Sequence, residues 1–151
     1  MGPVPGYAAA NWFPFTPPFT GGYLSTLTEL QHRLLQVIAS PTYASLHEPR
    51  YSLIANPYTL GRQNCTEFVL DVINAAIYQT NDIKIIKANT KAYFKAQTVN
   101  VNPLKPILGS MFSAEVSTSD QQGKPVTATF EKITEYLQTF DNGSKVRMLT
   151  P

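Results

Sequence analysis

The stretch NCTEFVLDVINAAI, residues 64–77, constrains the fold more than any other part of the chain. Asn64 is a strong N-cap, and Glu67 three residues on completes a box-like helix start. Phe68, Val69, Val72, Ile73, Ala76 and Ile77 follow at i, i+1, i+4, i+5, i+8 and i+9. An apolar stripe of that width needs burial along its whole length, so the rest of the chain is expected to pack around this helix. With 151 residues there is enough chain for one proper core and an arm.

Composition narrows the possibilities. Apolar residues make up 43% and charged residues 15%, against about 25% charged in an average soluble domain. That excludes a coiled coil and a charge-rich disordered tail. A net charge of +2, from 12 Lys+Arg against 10 Asp+Glu, gives no global attraction to nucleic acid. No window approaches the run of about 18 apolar residues that a membrane span needs. The single cysteine, Cys65, permits no internal disulfide and no cysteine-cluster metal site, and no cofactor is expected.

Charge is absent altogether from Met1 to Thr28. Residues 1–22 hold five of the 12 prolines and four of the 8 glycines, interleaved with Tyr7, Trp12, Phe13, Phe15 and Phe19. Proline at this density forbids a regular helix, and the aromatics argue against ordinary disorder. A signal peptide's basic n-region and unbroken apolar h-region are both missing. The segment is expected to be an extended arm that packs, either on its own domain or on an N-terminal fragment or second chain. The division expected is arm 1–22 and one domain 23–151.

Elsewhere the pattern is mixed. Thr26 and Glu29 form a capping box ahead of a helix over 27–39, which Ser40-Pro41 stops. Residues 51–55 look like a strand ended by the Asn56-Pro57 turn. A helix over 83–94 follows the Thr80-Asn81-Asp82 cap, with Ile83, Ile86, Thr90, Tyr93 and Phe94 on one side. Strands are expected at 97–101, 114–118, 126–130 and 145–149, a proline-interrupted turn or short helix at 103–112, and a helix at 130–140. Helices first and a small sheet later suggest α+β.

Cys65 is the first chemical candidate. At the start of its helix it meets unpaired N–H groups and the positive end of the macrodipole, which favours a nucleophilic thiolate. It also lies three and four residues before Phe68 and Val69, on the apolar stripe, where a free cysteine is usually an inert core residue. Two histidines could serve as base. His32 lies on the polar side of the first helix, and His47 lies in the loop leading toward Cys65. Glu67 and Asp71 could orient an imidazole, though Asp71 at i+6 points away from Cys65. Lys84, Lys87, Lys91 and Lys95 form a basic stripe best explained as a solvated face, without an aromatic platform for bases.

The stretches LSTLTELQHRLLQVIASPTYASLHEPRYSLIANPYTLGRQ and NCTEFVLDVINAAIY together resemble the bacterial domain-of-unknown-function family 2145. The resemblance runs from about Pro18 to at least Tyr78. The Asn64-Cys65 segment is also similar to the cysteine helix of the circularly permuted NlpC-like branch of the papain superfamily. That resemblance implies a papain-like α+β core, with the cysteine helix packed on a small antiparallel sheet. It further implies a thiol hydrolase or acyltransferase acting on a peptide, cell-wall or lipid amide or ester. Cys65 would be the nucleophile with its backbone N–H in the oxyanion hole, Asn64 would cap and position it, and the bacterial relatives suggest an envelope setting. In the permuted branch the catalytic histidine precedes the cysteine on a β-hairpin, and no such hairpin precedes Cys65. Either the chain is the C-terminal part of a longer domain, or His47 substitutes, or the domain is a binding module in which Cys65 is structural and the arm docks a partner.

Overall fold

The computed structural model describes residues 21–25, 28–103, 117–140 and 143–149. Strand β1 (Gly21–Ser25) leads to helices α1 (Thr28–Ile38) and α2 (Pro41–Ser45). After a long loop come α3 (Cys65–Tyr78), α4 (Ile83–Tyr93) and strand β2 (Gln97–Thr98). Strand β3 (Val126–Thr127), helix α5 (Phe130–Phe140) and strand β4 (Lys145–Leu149) complete the order. Among the described residues two separate two-stranded antiparallel sheets form. In one, β1 pairs with β4 in a register running from Gly21↔Leu149 to Ser25↔Lys145. In the other, Gln97 lies opposite Thr127 and Thr98 opposite Val126. The protein is α+β.

Helix α3 is central, as its apolar stripe required. Every residue from Leu70 to Ile77 is buried. Leu70, Ile73, Ala76 and Ile77 meet Leu30 of α1 and Ile133, Tyr136 and Leu137 of α5. On its other side Val72 and Ala75 meet Leu46 and Ile86. Its lateral neighbours are thus helices, and β3 touches it at its N-terminal end through Asn64. The stripe is shifted from the expected one: Val69 is 49% exposed and Leu70 takes the core position instead. Gln79 ends the helix in the left-handed region at φ 50, its N–H bonded to Ala75 O.

A directed chain of hydrogen bonds crosses this core. Tyr136 Oη donates to Asn74 Oδ1 at 2.9 Å, Asn74 Nδ2 to Thr90 Oγ1 at 2.9 Å, and Thr90 Oγ1 to Ile86 O at 2.8 Å. Tyr78 Oη lies 2.9 Å from Tyr136 Oη. Burial is the first cause that holds the Tyr136 hydroxyl well above its ordinary pKa, so it stays a donor. A buried Asn flanked by partners at both ends fixes how α3, α4 and α5 sit against one another.

Several elements differ from expectation. Ser40 does not only stop α1; its Oγ accepts from Thr42 N and caps α2. Residues 51–55 form no strand beyond a single parallel bridge, Tyr51↔Gln63. Ala55 N turns back to Ser52 O, while the Ser52 side chain binds Ser117 O, and side-chain bonding of this kind competes with a ladder. The strand expected at 126–130 shortens to two residues because Thr129 is drawn into the start of α5, accepting from Ile133 N with its carbonyl. Ser117 and Thr118 belong to no strand, and a turn follows over 118–121, with Gln121 N bonded to Thr118 O. The capping threonine at 26, residues 1–20 of the arm and the stretch 104–116 lie outside the described residues.

Candidate functional site

The loop between α2 and α3 is tied down by its own polar residues. Asn56 Oδ1 accepts from Tyr58 N at 3.0 Å, while its backbone N–H donates to Asp120 Oδ2 at 2.7 Å. Gly61 adopts φ +108, a conformation that L side chains rarely take, so the loop turns there. Gln63 is buried and spends its whole amide: Nε2 donates to Leu46 O and Asp71 Oδ2, both at 3.0 Å, and Oε1 accepts from Glu48 N. Asn64 is likewise buried. Its Oδ1 accepts from Glu67 N at 2.8 Å, and its Nδ2 donates to Leu53 O and Thr127 Oγ1, each at 3.0 Å. The cap read from the sequence is therefore also a cross-brace between α3, the loop and β3.

This bracing presents Cys65 as the first residue of α3, and the thiol is exposed. Its position on the wheel is that of Val69, four residues on, which is also exposed. The expectation of a core cysteine on the apolar stripe is thereby corrected, because the stripe faces the other way. Sγ lies 3.9 Å from Thr66 Oγ1. His47 is exposed, with its ring edge-on to Phe68 at 6.3 Å between centroids. His32 is exposed on α1 and pairs with Gln36 Nε2 at 3.3 Å. Among the described residues neither imidazole is a hydrogen-bond partner of Sγ.

A second constellation escaped the sequence. Lys87 does not belong to a solvated stripe; it is buried, as are Glu67 and Asp71 of α3. Its Nζ donates to Glu67 Oε1 at 2.7 Å and to Asp71 Oδ1 and Oδ2 at 2.9 Å each. The signal was available in part: Glu67 and Asp71 are four apart and share a helix face. Nothing local marks Lys87 as their partner, because its partners are 20 and 16 residues away. The two carboxylates therefore bind lysine rather than orient a histidine. Glu67 and Asp71 also line a cavity of about 130 Å³ together with Lys87, His47, Glu48 and Arg62. Among the described residues no group of His, Cys, Asp and Glu could hold a metal ion.

Burial, with smaller contributions from Asp71 and Asp120, pushes the Glu67 carboxyl up from 4.5 to about 8, against the opposing pull of Lys87. Asp71 is raised for the same first reason. A raised carboxyl pKa means that the folded state holds a proton the unfolded chain has released. The contribution of Glu67 to stability is therefore fully present below pH 4.5 and is lost as pH rises toward 8. The urea midpoint of the protein is expected to fall across that window, and the Glu67→Gln variant to show a flatter profile. An equal slope in both proteins would remove Glu67 as its source.

Residues 19–137 match the sequence profile of a bacterial family described as "Uncharacterized protein conserved in bacteria (DUF2145)". The chain belongs to this family. The match spans all of α1 to α4 and most of α5, so the cysteine helix, the Asn64 brace and the buried triad of this DUF2145 chain lie within it. No curated protein and no solved structure matches the chain. Among its described residues no helix is long and apolar enough to cross a membrane.

Proposed function

We propose that this DUF2145 chain carries a thiol hydrolase or acyl-transfer centre of the permuted NlpC-like, papain-like type, acting on an amide or ester with Cys65 as nucleophile. The observation that supports it is the exposure of Cys65 at the first turn of a helix otherwise buried from Leu70 to Ile77. A structural cysteine would be expected inside that core. Helix geometry leaves the first N–H groups of α3 outside the i→i−4 ladder, and Asn64 Oδ1 takes that of Glu67. The N–H of Cys65 then remains at the site where a developing oxyanion needs a donor. In the reaction the sulfur attacks the carbonyl carbon, the C–N or C–O bond breaks, and the leaving amine or alcohol takes a proton. Water or a second acceptor then releases the acyl group from the thioester, with the proton going to the base.

His47 is the base assigned on this chain, its exposed ring resting against Phe68 one turn along α3 from Cys65. The alternative assignment is an imidazole brought by a second chain or fragment. Acylation by p-nitrophenyl acetate, followed by peptide mass spectrometry, tests both points. Cys65 is expected to acylate faster than free glutathione at the same pH, and Cys65→Ala to abolish the adduct. A rate no greater than that of glutathione would sink the nucleophile. His47→Ala is expected to slow acylation roughly 100-fold; an unchanged rate would move the base off this chain.

A further inference from the structure

We propose that the outer face of α4 docks on an anionic phospholipid bilayer, the helix lying in the headgroup layer with Tyr93 and Phe140 inserted beside it. The surface is carried by α4 and the end of α5, so it does not depend on the Cys65 chemistry of α3. Charge is spread unevenly along the chain. From Ile83 to Ala114 the sequence has five lysines and no acidic residue, in a chain of net charge +2, so the remainder is net negative. Lys87 is spent inside the protein on Glu67 and Asp71. Lys84, Lys91 and Lys95 are exposed, and among the described residues none of them is in an ion pair. Asp82, the carboxylate next to the helix in sequence, is held at its N-terminus, where Oδ1 accepts from Lys84 N at 2.8 Å. On α5, Glu135 already meets Lys132 at 2.8 Å.

Apolar surface lies beside these charges. Ile85 is 48% exposed and Tyr93 66%, and Ala88 and Ala92 are exposed as well. At about 100° per residue, Lys84 and Lys91 fall on one half of the exposed arc of α4. Ile85, Ala88 and Ala92 fall on the other half, bordered by Tyr93. The Tyr78 ring joins this face to α5. Tyr93 stacks on it at 6.5 Å between centroids, and Phe140, 53% exposed, meets it edge-on at 6.4 Å.

An anionic headgroup layer accepts both halves of this face. Lysine stems run along apolar surface while their ammonium groups stay at phosphate level, and a tyrosine ring sits at the boundary with its hydroxyl in water. The helix has 11 residues, about 16 Å of length, enough to lie in the interface and too little to span it. A nucleic-acid strand fits less well. One side of the Tyr93 ring is already stacked on Tyr78, and Ile85, Ala88 and Ala92 offer bases neither a stacking platform nor a hydrogen bond.

Co-sedimentation of the full chain with phosphatidylcholine vesicles, pure or containing about one-third phosphatidylglycerol, tests the surface. Binding to the anionic vesicles alone is expected, and it should weaken as salt rises. Each lysine near such a surface is worth roughly fivefold, so the combined variant Lys84→Gln, Lys91→Gln, Lys95→Gln is expected to bind about 100-fold less tightly. Tyr93→Ser with Phe140→Ser is expected to weaken binding about tenfold. Lys124→Gln, in the turn before β3, is the control and should stay within about twofold of the wild type. All these side chains are exposed, and circular dichroism checks that each variant is folded. Absence of binding to anionic vesicles, equal binding to neutral ones, or binding that survives the three lysine substitutions overturns the proposal. Unchanged affinity in the Tyr93, Phe140 variant overturns the insertion it requires. Binding of a poly-dT oligonucleotide in place of vesicles would overturn it in favour of a nucleic-acid surface.

Discussion

Lys87→Met is expected to destabilise the protein by about 3–5 kcal/mol, the cost typical of removing one partner from a buried ion pair. Lys87 is the shared donor to two fully buried carboxyl groups, at 2.7 and 2.9 Å, and the counter-charge of Asp71. Without it the Asp71 carboxylate must take up a proton or remain an uncompensated charge in the interior, and the Glu67 carboxyl loses the donor to its Oε1. The methionine stem replaces the packing of the lysine chain, so the loss reports the charge rather than a cavity. Urea denaturation at pH 7 measures it. Adding Glu67→Gln and Asp71→Asn to the same chain should recover part of the stability, since no charge is then left alone. A Lys87→Met protein as stable as the wild type would mean that the triad does not hold α4 to α3.

Asn64→Ala is expected to be the second large effect, about 2–4 kcal/mol from a lost N-cap, a stranded buried Thr127 hydroxyl and a part-buried Leu53 carbonyl. The side chain meets Glu67 N, Leu53 O and Thr127 Oγ1 at once. Removing it frees the first turn of α3 and cuts the link to β3. On the proposed thiol chemistry the consequence reaches function, because that turn presents Cys65. Native iodoacetamide labelling should show any rate advantage that Cys65 has over a free thiol in the wild type lost in Asn64→Ala, under conditions where circular dichroism shows the helices retained. Asn64→Asp is the informative control: it keeps the cap acceptor but not the two donors. Stability intermediate between wild type and alanine is expected for it, and alanine-like behaviour would assign the whole effect to the donors.

Much of the fold was legible in local chemistry. The α3 segment, its Asn64 cap, the Asp82 cap of α4 and the limits of α5 and β4 follow from periodicity and capping residues that act within one turn. Elements failed where a partner distant in sequence overrode local preference. Ser52 turns toward Ser117 and Asn56 toward Asp120, and the strand expected at 51–55 gives way to a turn. The apolar stripe of α3 lies one step from the expected one because Val69 and Leu70 are both apolar. Only the positions of Leu30 and Leu137 decide which of the two faces the core.

The candidate site divides along the same line. The sequence by itself determined that Cys65 opens the central helix, since a cap and an apolar stripe are local properties of the chain. It left open whether the thiol was buried, because both faces of that helix carry apolar residues. The tertiary structure decided that Cys65 faces solvent while Glu67 and Asp71 face inward. It also turned Lys87 from one member of a basic stripe into the buried donor to both. Burial and ion pairing between helices are set by which surfaces pack together, and no spacing along the chain encodes the partner 16 or 20 residues away.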